Sequence, residues 1–366
     1  MNRKLRILHF IYDHPDNPWC GGGGARRTWE INSILASRHD ITVFCGGFPG
    51  AVPQEEPFKV RVLGKSRNYI ESRLKYILGS ISVDAGAYDL VIEDFSAYAP
   101  VFPKLKNRHR VTILHAYYGL SALRYRGLCG LIAVFGERIL LPSRSFGIAV
   151  SQSLREKTLR GNGKWAVIGQ GVDVPPNLPP SSGEYVLFLG RLDIRVKGID
   201  LLLEAWSLIP KRKRTLPLYI AGGGDQETIR STIVEKGLAD IRLLGRLDHL
   251  SAMATINRAA FVCMPSRSEG FGLVAAEAFA LGKPVIVSSI PALEALVPDG
   301  IAGLHVPPED PYFLSKAIEK LLTDSSLCRQ LAKGAMELGS KCSWKKIAER
   351  QEAFYLECLE ENRLRK

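Results

Sequence analysis

The sequence predicts an α/β protein of two doubly wound domains, and three observations carry that prediction. Apolar runs rich in β-branched residues alternate with helical patterns along the whole chain, as βαβ units and parallel sheets require. A stretch of linker composition, VPPNLPPSSGE over residues 174–184, interrupts the alternation, which then restarts. The 366 residues, 46% hydrophobic and 23% charged, suffice to bury two cores of ordinary size.

The first domain is expected over residues 1–180. Its opening strand, residues 5–12, is an apolar run that ends before the glycines Gly21, Gly22, Gly23 and Gly24. A helix follows through about Ser37, then a strand over 41–45. Further short apolar runs predict strands at 90–93, 111–115 and 147–150. The second domain is expected over 181–340, with strands at Tyr185–Leu189, Leu218–Ala221, 241–244, 261–264 and 284–287. Helices are expected over 198–208 and Leu273–Ala280, where the apolar spacing changes from two to 3.6 residues. Residues 341–366 hold a final amphipathic helix, read over 344–361.

Charge and composition narrow the function. The formal charge of +12 is concentrated early: residues 1–180 hold 24 Lys or Arg against 14 Asp or Glu, whereas residues 181–366 hold 25 against 23. A positive field of this size attracts nucleic acid, anionic lipid or an acidic small substrate. The one dense basic run, Lys211 to Arg214, lacks interleaved aromatics, so the expectation is no nucleic-acid partner. The longest apolar run, 127–136, is about half the length a bilayer needs, and the basic start at Arg3, Lys4 and Arg6 leads into a strand that carries His9 and Asp13. A cytoplasmic protein is expected. Seven cysteines without a C-x-x-C pair suggest neither a disulfide framework nor a zinc site.

The chemistry is concentrated in three motifs. In the first glycine run, Arg26 stands where a third dinucleotide-motif glycine belongs, and the second strand ends without an acidic residue for a ribose. A nicotinamide cofactor is therefore not expected. The run is either a flexible turn or a loop in which Gly22, Gly23 and Gly24 let a phosphate or acceptor reach backbone amides. In the second motif, Gly190-Arg191-Leu192-Asp193-Ile194-Arg195-Val196-Lys197-Gly198, Arg191 follows a strand and Lys197 precedes a helix. Two cations there suit a diphosphate leaving group, whose negative charge grows as its bond breaks. The third is Ser268-Glu269-Gly270-Phe271-Gly272, with Glu277 inside the following helix among apolar neighbours. Glu269 can accept from sugar hydroxyls and Glu277 from a ribose, while the glycines admit a phosphate to the helix start.

In order along the chain, Gly-Arg-Leu with Lys-Gly, Ala221-Gly222-Gly223-Gly224-Asp225, and Glu269 with Glu277 as an E-x7-E pair resemble the donor half of family 4 (group 1) retaining glycosyltransferases. The resemblance implies two Rossmann-like doubly wound domains facing across a cleft (GT-B), with the terminal helix crossing back to the first domain. It implies transfer of a sugar from a nucleoside diphosphate sugar, a UDP-sugar ahead of a GDP-sugar, to a hydroxyl acceptor with retention, and no required metal or cofactor. On that resemblance Arg191 and Lys197 contact the diphosphate, Glu269 the transferred sugar and Glu277 the ribose. Gly190, Gly223 and Gly270 line the donor, Phe271, Gly272 and Leu273 present backbone to it, and Leu244 packs beside the base. His115, closing a strand of the first domain, is similar to a histidine that the family places near the reacting sugar. An epimerase or a GT-B phosphorylase can share this two-domain frame.

Segment 67–78 reads as a helix with Arg67, Arg73 and Lys75 beside Tyr69, Ile70, Leu74, Tyr76, Ile77 and Leu78. Its apolar residues are either ordinary core or an interface for anionic membrane, and the second reading implies a lipid-linked acceptor and peripheral attachment to the inner membrane face.

Overall fold

The computed structural model describes residues 4–20, 22–64, 66–104, 109–120, 122–123, 127–158, 163–175, 178, 181, 183–340 and 342–364. Arg3, Gly21 of the glycine run, and Pro176, Asn177, Pro179, Pro180 and Ser182 of the linker lie outside the described residues. The chain forms two compact units, residues 1–171 with 344–366, and residues 172–343.

The first unit is built on a seven-stranded sheet: β1 Arg6–Ile11, β2 Asp40–Gly46, β3 Lys59–Leu63, β4 Leu90–Asp94, β5 Arg110–Leu114, β6 Phe146–Ala149 and β7 Lys164–Val167. Its order is β3-β2-β1-β4-β5-β6-β7, and every pairing is parallel. The central strands are buried on both sides, as their near-continuous Ile, Leu, Val and Phe content requires. The second unit repeats the plan with β8 Tyr185–Leu189, β9 Leu218–Ala221, β10 Ile241–Gly245, β11 Ala259–Met264, β12 Val285–Ser288 and β13 Gly303–Val306. Here the order is β10-β9-β8-β11-β12-β13, again wholly parallel. Both sheets are doubly wound, as the alternating pattern predicts.

The first unit closes at Gly171, ahead of the expected position 180, because Val172 packs with Tyr185 and Met253 in the second core. The helix Trp344–Leu364 packs on the helix Gly23–Leu35 of the first unit. Arg27, fully buried, ties the two together: it donates to the carbonyls of Ile168 and Gly169 and to Gln351 Oε1 at 3.1, 3.1 and 2.6 Å. Burial with no carboxylate among those acceptors pushes its pKa down to about 10.

Strands β3, β7 and β13 were not expected from the sequence. All three are sheet edges of four or five residues, where polar side chains (Lys59 and Arg61 in β3, Lys164 in β7, His305 in β13) leave too short an apolar run to signal a strand.

Candidate functional site

In the second sheet the chain leaves β8 toward β9 and leaves β11 toward β12. The carboxyl ends of β8 and β11 therefore border the point where the winding reverses, and a crevice opens there. Residues 190–198 follow β8 and residues 265–272 follow β11, so the second and third motifs meet at that point. Lys197 Nζ lies 2.5 Å from Glu269 Oε1, which also accepts from Ser266 Oγ at 3.0 Å. Arg191 does not join them: its side chain is 55% exposed and its nearest charge, on Asp193, is 3.9 Å away.

Arg267 holds the two loops in register. Its amide donates to Val196 O at 2.8 Å. Its guanidinium donates to Ile194 O at 2.8 Å, to both oxygens of Asp200 at 2.8 and 2.7 Å, and to both oxygens of Glu309 at 2.8 and 2.9 Å. These two carboxylates raise the Arg267 pKa further above its ordinary value.

The helix Leu273–Ala280 starts at Gly272, whose φ of +95° and lack of a side chain are both needed: a Cβ there would stand 2.7 Å from Leu293 Cδ2. No side chain caps this start, so its first amides have no side-chain acceptor. Glu277 is the buried carboxylate of that helix, and Glu269 stands outside it, as the spacing predicts. Gly190 and Gly222 pass so closely that a Cβ on Gly222 would lie 1.8 Å from Gly190 O, and Gly223 O accepts from Leu192 N at 2.8 Å. Leu244 lies in edge strand β10 with its side chain partly exposed.

The first unit carries a separate cluster at the carboxyl ends of β1, β4 and β5. Asp94 ends β4, and its Oδ1 lies 3.3 Å from His9 Nε2 and 3.2 Å from His115 Nε2. Thr28 Oγ1 donates to its other oxygen. Burial pushes the Asp94 carboxyl up, but the two imidazoles outweigh it and hold the group well below the ordinary carboxylate range. Nearby Asp13 is shifted the other way, raised chiefly by burial. Gly24 lies against His115, since a Cβ there would meet the ring Cγ at 3.3 Å and Nδ1 at 3.4 Å. The structure thus brings His115 and Gly24 together, while a Cβ on Gly22 would meet open space. Asp94, His9 and Thr28 escaped sequence reasoning, although an acidic residue closing a buried strand is a readable signal.

The family described as glycosyl transferases group 1 matches residues 173–338, nearly the whole second unit. The second unit is a group 1 glycosyl transferase domain. Among curated proteins the chain is 35% identical over 211 residues to a phosphatidyl-myo-inositol mannosyltransferase of Mycobacterium leprae, covering 55% of this chain and 56% of that one. It thus spans little more than half the length of that group 1 relative. Sucrose-phosphate synthase from Thermosynechococcus elongatus superposes with a TM-score of 0.79 at 22% identity, covering 97% of this chain and 99% of that one. Anabaena HepE, solved in complex with UDP-glucose, gives 0.71 at 19% identity over 98% and 100%. At such identities these structures show the shared GT-B fold of glycosyltransferases.

Proposed function

We propose that this protein is a retaining glycosyltransferase that moves a sugar from a nucleoside diphosphate sugar to a hydroxyl acceptor. The observation that carries the reading is the Lys197–Glu269 pair at 2.5 Å, set at the winding reversal beside an uncapped helix start, within the group 1 domain. Lys197 supplies charge to the departing diphosphate, and the first amides of Leu273–Ala280 donate to it. Glu269 accepts from the hydroxyls of the transferred sugar, and Glu277 from the ribose. The anomeric carbon–oxygen bond breaks toward the diphosphate while the acceptor oxygen attacks the same face, and the leaving phosphate oxygen takes the acceptor proton. Arg191 reaches the diphosphate by moving its exposed side chain. His115, oriented by Asp94 through Nε2, keeps Nδ1 on the Gly24 side for the sugar or acceptor.

A UDP-sugar is the favoured donor, consistent with the UDP-glucose held by the HepE neighbour. The acceptor is lipid-linked, in keeping with the phospholipid in the mannosyltransferase's name and with peripheral attachment at the cytoplasmic membrane face. Neither a divalent metal nor a cofactor is required, because Lys197, Arg191 and helix amides meet the diphosphate charge; transfer that EDTA abolishes and magnesium restores would overturn this. A thermal-shift screen of nucleoside diphosphates identifies the base, since a ligand bound only by the folded state raises its Tm. Proton NMR of the glycosylated product then reads the anomeric configuration. Donor turnover giving an epimerised sugar nucleotide or a sugar phosphate, without glycosylated acceptor, refutes the proposal.

A further inference from the structure

The helix Tyr69–Ser82 of the first unit is turned inside out. Its buried positions are Ser72, Tyr76 and Ser80, whereas Ile70, Leu74 and Leu78, roughly 200° around the axis, face outward with Ile70 69% and Leu78 66% exposed. Hydrogen bonds secure the inner face: Ser72 Oγ donates to Gly47 O, Tyr12 OH donates to Ser72 Oγ at 3.2 Å, and Ser80 Oγ accepts from Phe102 N at 3.0 Å. The reading of this segment as ordinary core holds for Tyr76, which is buried, and is corrected for Ile70, Leu74 and Leu78, which stand outside.

A second exposed apolar stretch follows β5. In residues 127–139, Leu128 is 84% and Phe135 64% exposed, with Leu131 and Ile132 also outward. Both segments lie on one face of the sheet: the β3-to-β4 and β5-to-β6 connections advance in the same direction across the strand order, and right-handed crossovers place them on the same side. The link between them is continuous. Arg73 sits 5.7 Å from the Tyr98 ring, Tyr98 packs edge-on to Tyr118 at 6.1 Å, and Gly136 lies against Ala97. The helix Gly23–Leu35, whose connection advances the other way, lies on the opposite face with the terminal helix.

The charge on this part of the chain names the occupant. Residues 101–150 hold eight Lys or Arg against one acidic residue, Glu137, and two of the eight, Arg110 and Arg144, pair with the buried Glu93. The Glu137 carboxylate is folded inward, accepting from the amides of Tyr118 and Gly119 at 2.7 Å each, and burial raises its pKa. Arg67, exposed just ahead of the helix, adds a cation, whereas Lys75 within it is paired with Glu71 at 2.6 Å. Among the described residues Arg67, Lys104 and Arg138 are exposed and have no acidic partner, and aliphatic side chains bordered by such cations fit the boundary between headgroups and acyl chains of an anionic bilayer, where apolar burial and charge attraction act together. A nucleic acid would leave the leucines and isoleucines without a partner.

We propose that this face, made of Tyr69–Ser82 together with residues 127–139, docks the first unit onto an anionic membrane surface through both segments at once. It rests on the membrane attachment proposed above but not on the chemistry of the second unit. The test is co-sedimentation of the full chain with vesicles of equal phosphatidylglycerol and phosphatidylcholine, compared with phosphatidylcholine alone. Binding is expected to the anionic vesicles at low salt, to weaken at least tenfold at high salt, and to fall at least tenfold in each of two variants, L74D/L78D and I132D/F135D. Both variants are expected to keep the wild-type Tm, because the replaced side chains are exposed, and to bind nucleoside diphosphate normally. Wild-type failure to bind anionic vesicles at low salt, or binding that survives either variant, overturns the proposal. So does tighter binding to duplex DNA, or a concentration-dependent dimer that the same variants abolish. Loss of nucleotide binding with vesicle binding intact would count against the proposed reaction and leave this face standing.

Discussion

Replacing Lys197 with Ala tests the donor site most directly. In the folded protein its ammonium lies 2.5 Å from Glu269, with the two side chains only 20% and 11% exposed. A charge-assisted hydrogen bond in such surroundings contributes about 1.5–3 kcal/mol, and Lys197→Ala leaves Glu269 with the Ser266 hydroxyl at 3.0 Å. Stability without ligand should fall by about that amount. In turnover the same charge acts on a leaving group whose negative charge grows toward the transition state. At about 1.36 kcal/mol per tenfold, a loss of the same size lowers kcat by roughly 10- to 150-fold. The affinity for free nucleoside diphosphate should change less. Steady-state kinetics, calorimetry and thermal melts separate these effects. Adding Glu269→Gln to Lys197→Ala removes the stranded carboxylate, so the melt should recover while turnover does not. An unchanged kcat with only a raised KM refutes the leaving-group role.

Glu277→Gln is expected to weaken nucleoside diphosphate binding about ten- to a hundredfold by calorimetry, whereas Glu269→Gln leaves that binding intact and transfers sugar poorly; equal losses in both defeat the division of roles. Gly24→Ala, whose Cβ would stand 3.3 Å from the His115 ring, should lower turnover, while Gly22→Ala, in open space, leaves the Tm unchanged; an effect limited to Gly22 contradicts this. The Asp94 carboxyl is held below its unfolded value of about 3.9. Its stabilisation is therefore complete above that pH and is lost as pH falls through the folded value. Denaturant midpoints should drop between about pH 4 and pH 3, and Asp94→Asn should flatten that decline while lowering stability at pH 6.

The donor half was legible because its motifs are continuous in sequence and each lies at a strand's carboxyl end. Tyr185–Leu189, Leu218–Ala221 and Leu273–Ala280 fall where the pattern puts them, and the Lys197 and Glu269 motifs meet as doubly wound topology requires. The cluster in the first unit was harder to read. His9, Thr28, Asp94 and His115 come from three strands and a helix, and no local spacing joins them. The strand expected over 90–93 stops one residue before Asp94, the end of β4. The helix Tyr69–Ser82 shows a different limit: its apolar residues recur at helical spacing whether they face a core or a solvent boundary, and only the hydrogen bonds of Ser72 and Ser80 decide which side is in.

The placement of Trp344–Leu364 has a consequence for synthesis. The second unit is one uninterrupted stretch of chain, whereas the first is made of residues on both sides of it and is completed only by the helix Trp344–Leu364. On a ribosome the second unit can therefore finish folding while the first still lacks its closing element. Until Gln351 arrives, the Arg27 guanidinium donates only to the carbonyls of Ile168 and Gly169, and the side of Gly23–Leu35 that packs on Trp344–Leu364 has no cover. The unit begun before the other is completed after it, and it is the one that needs protection while translation continues.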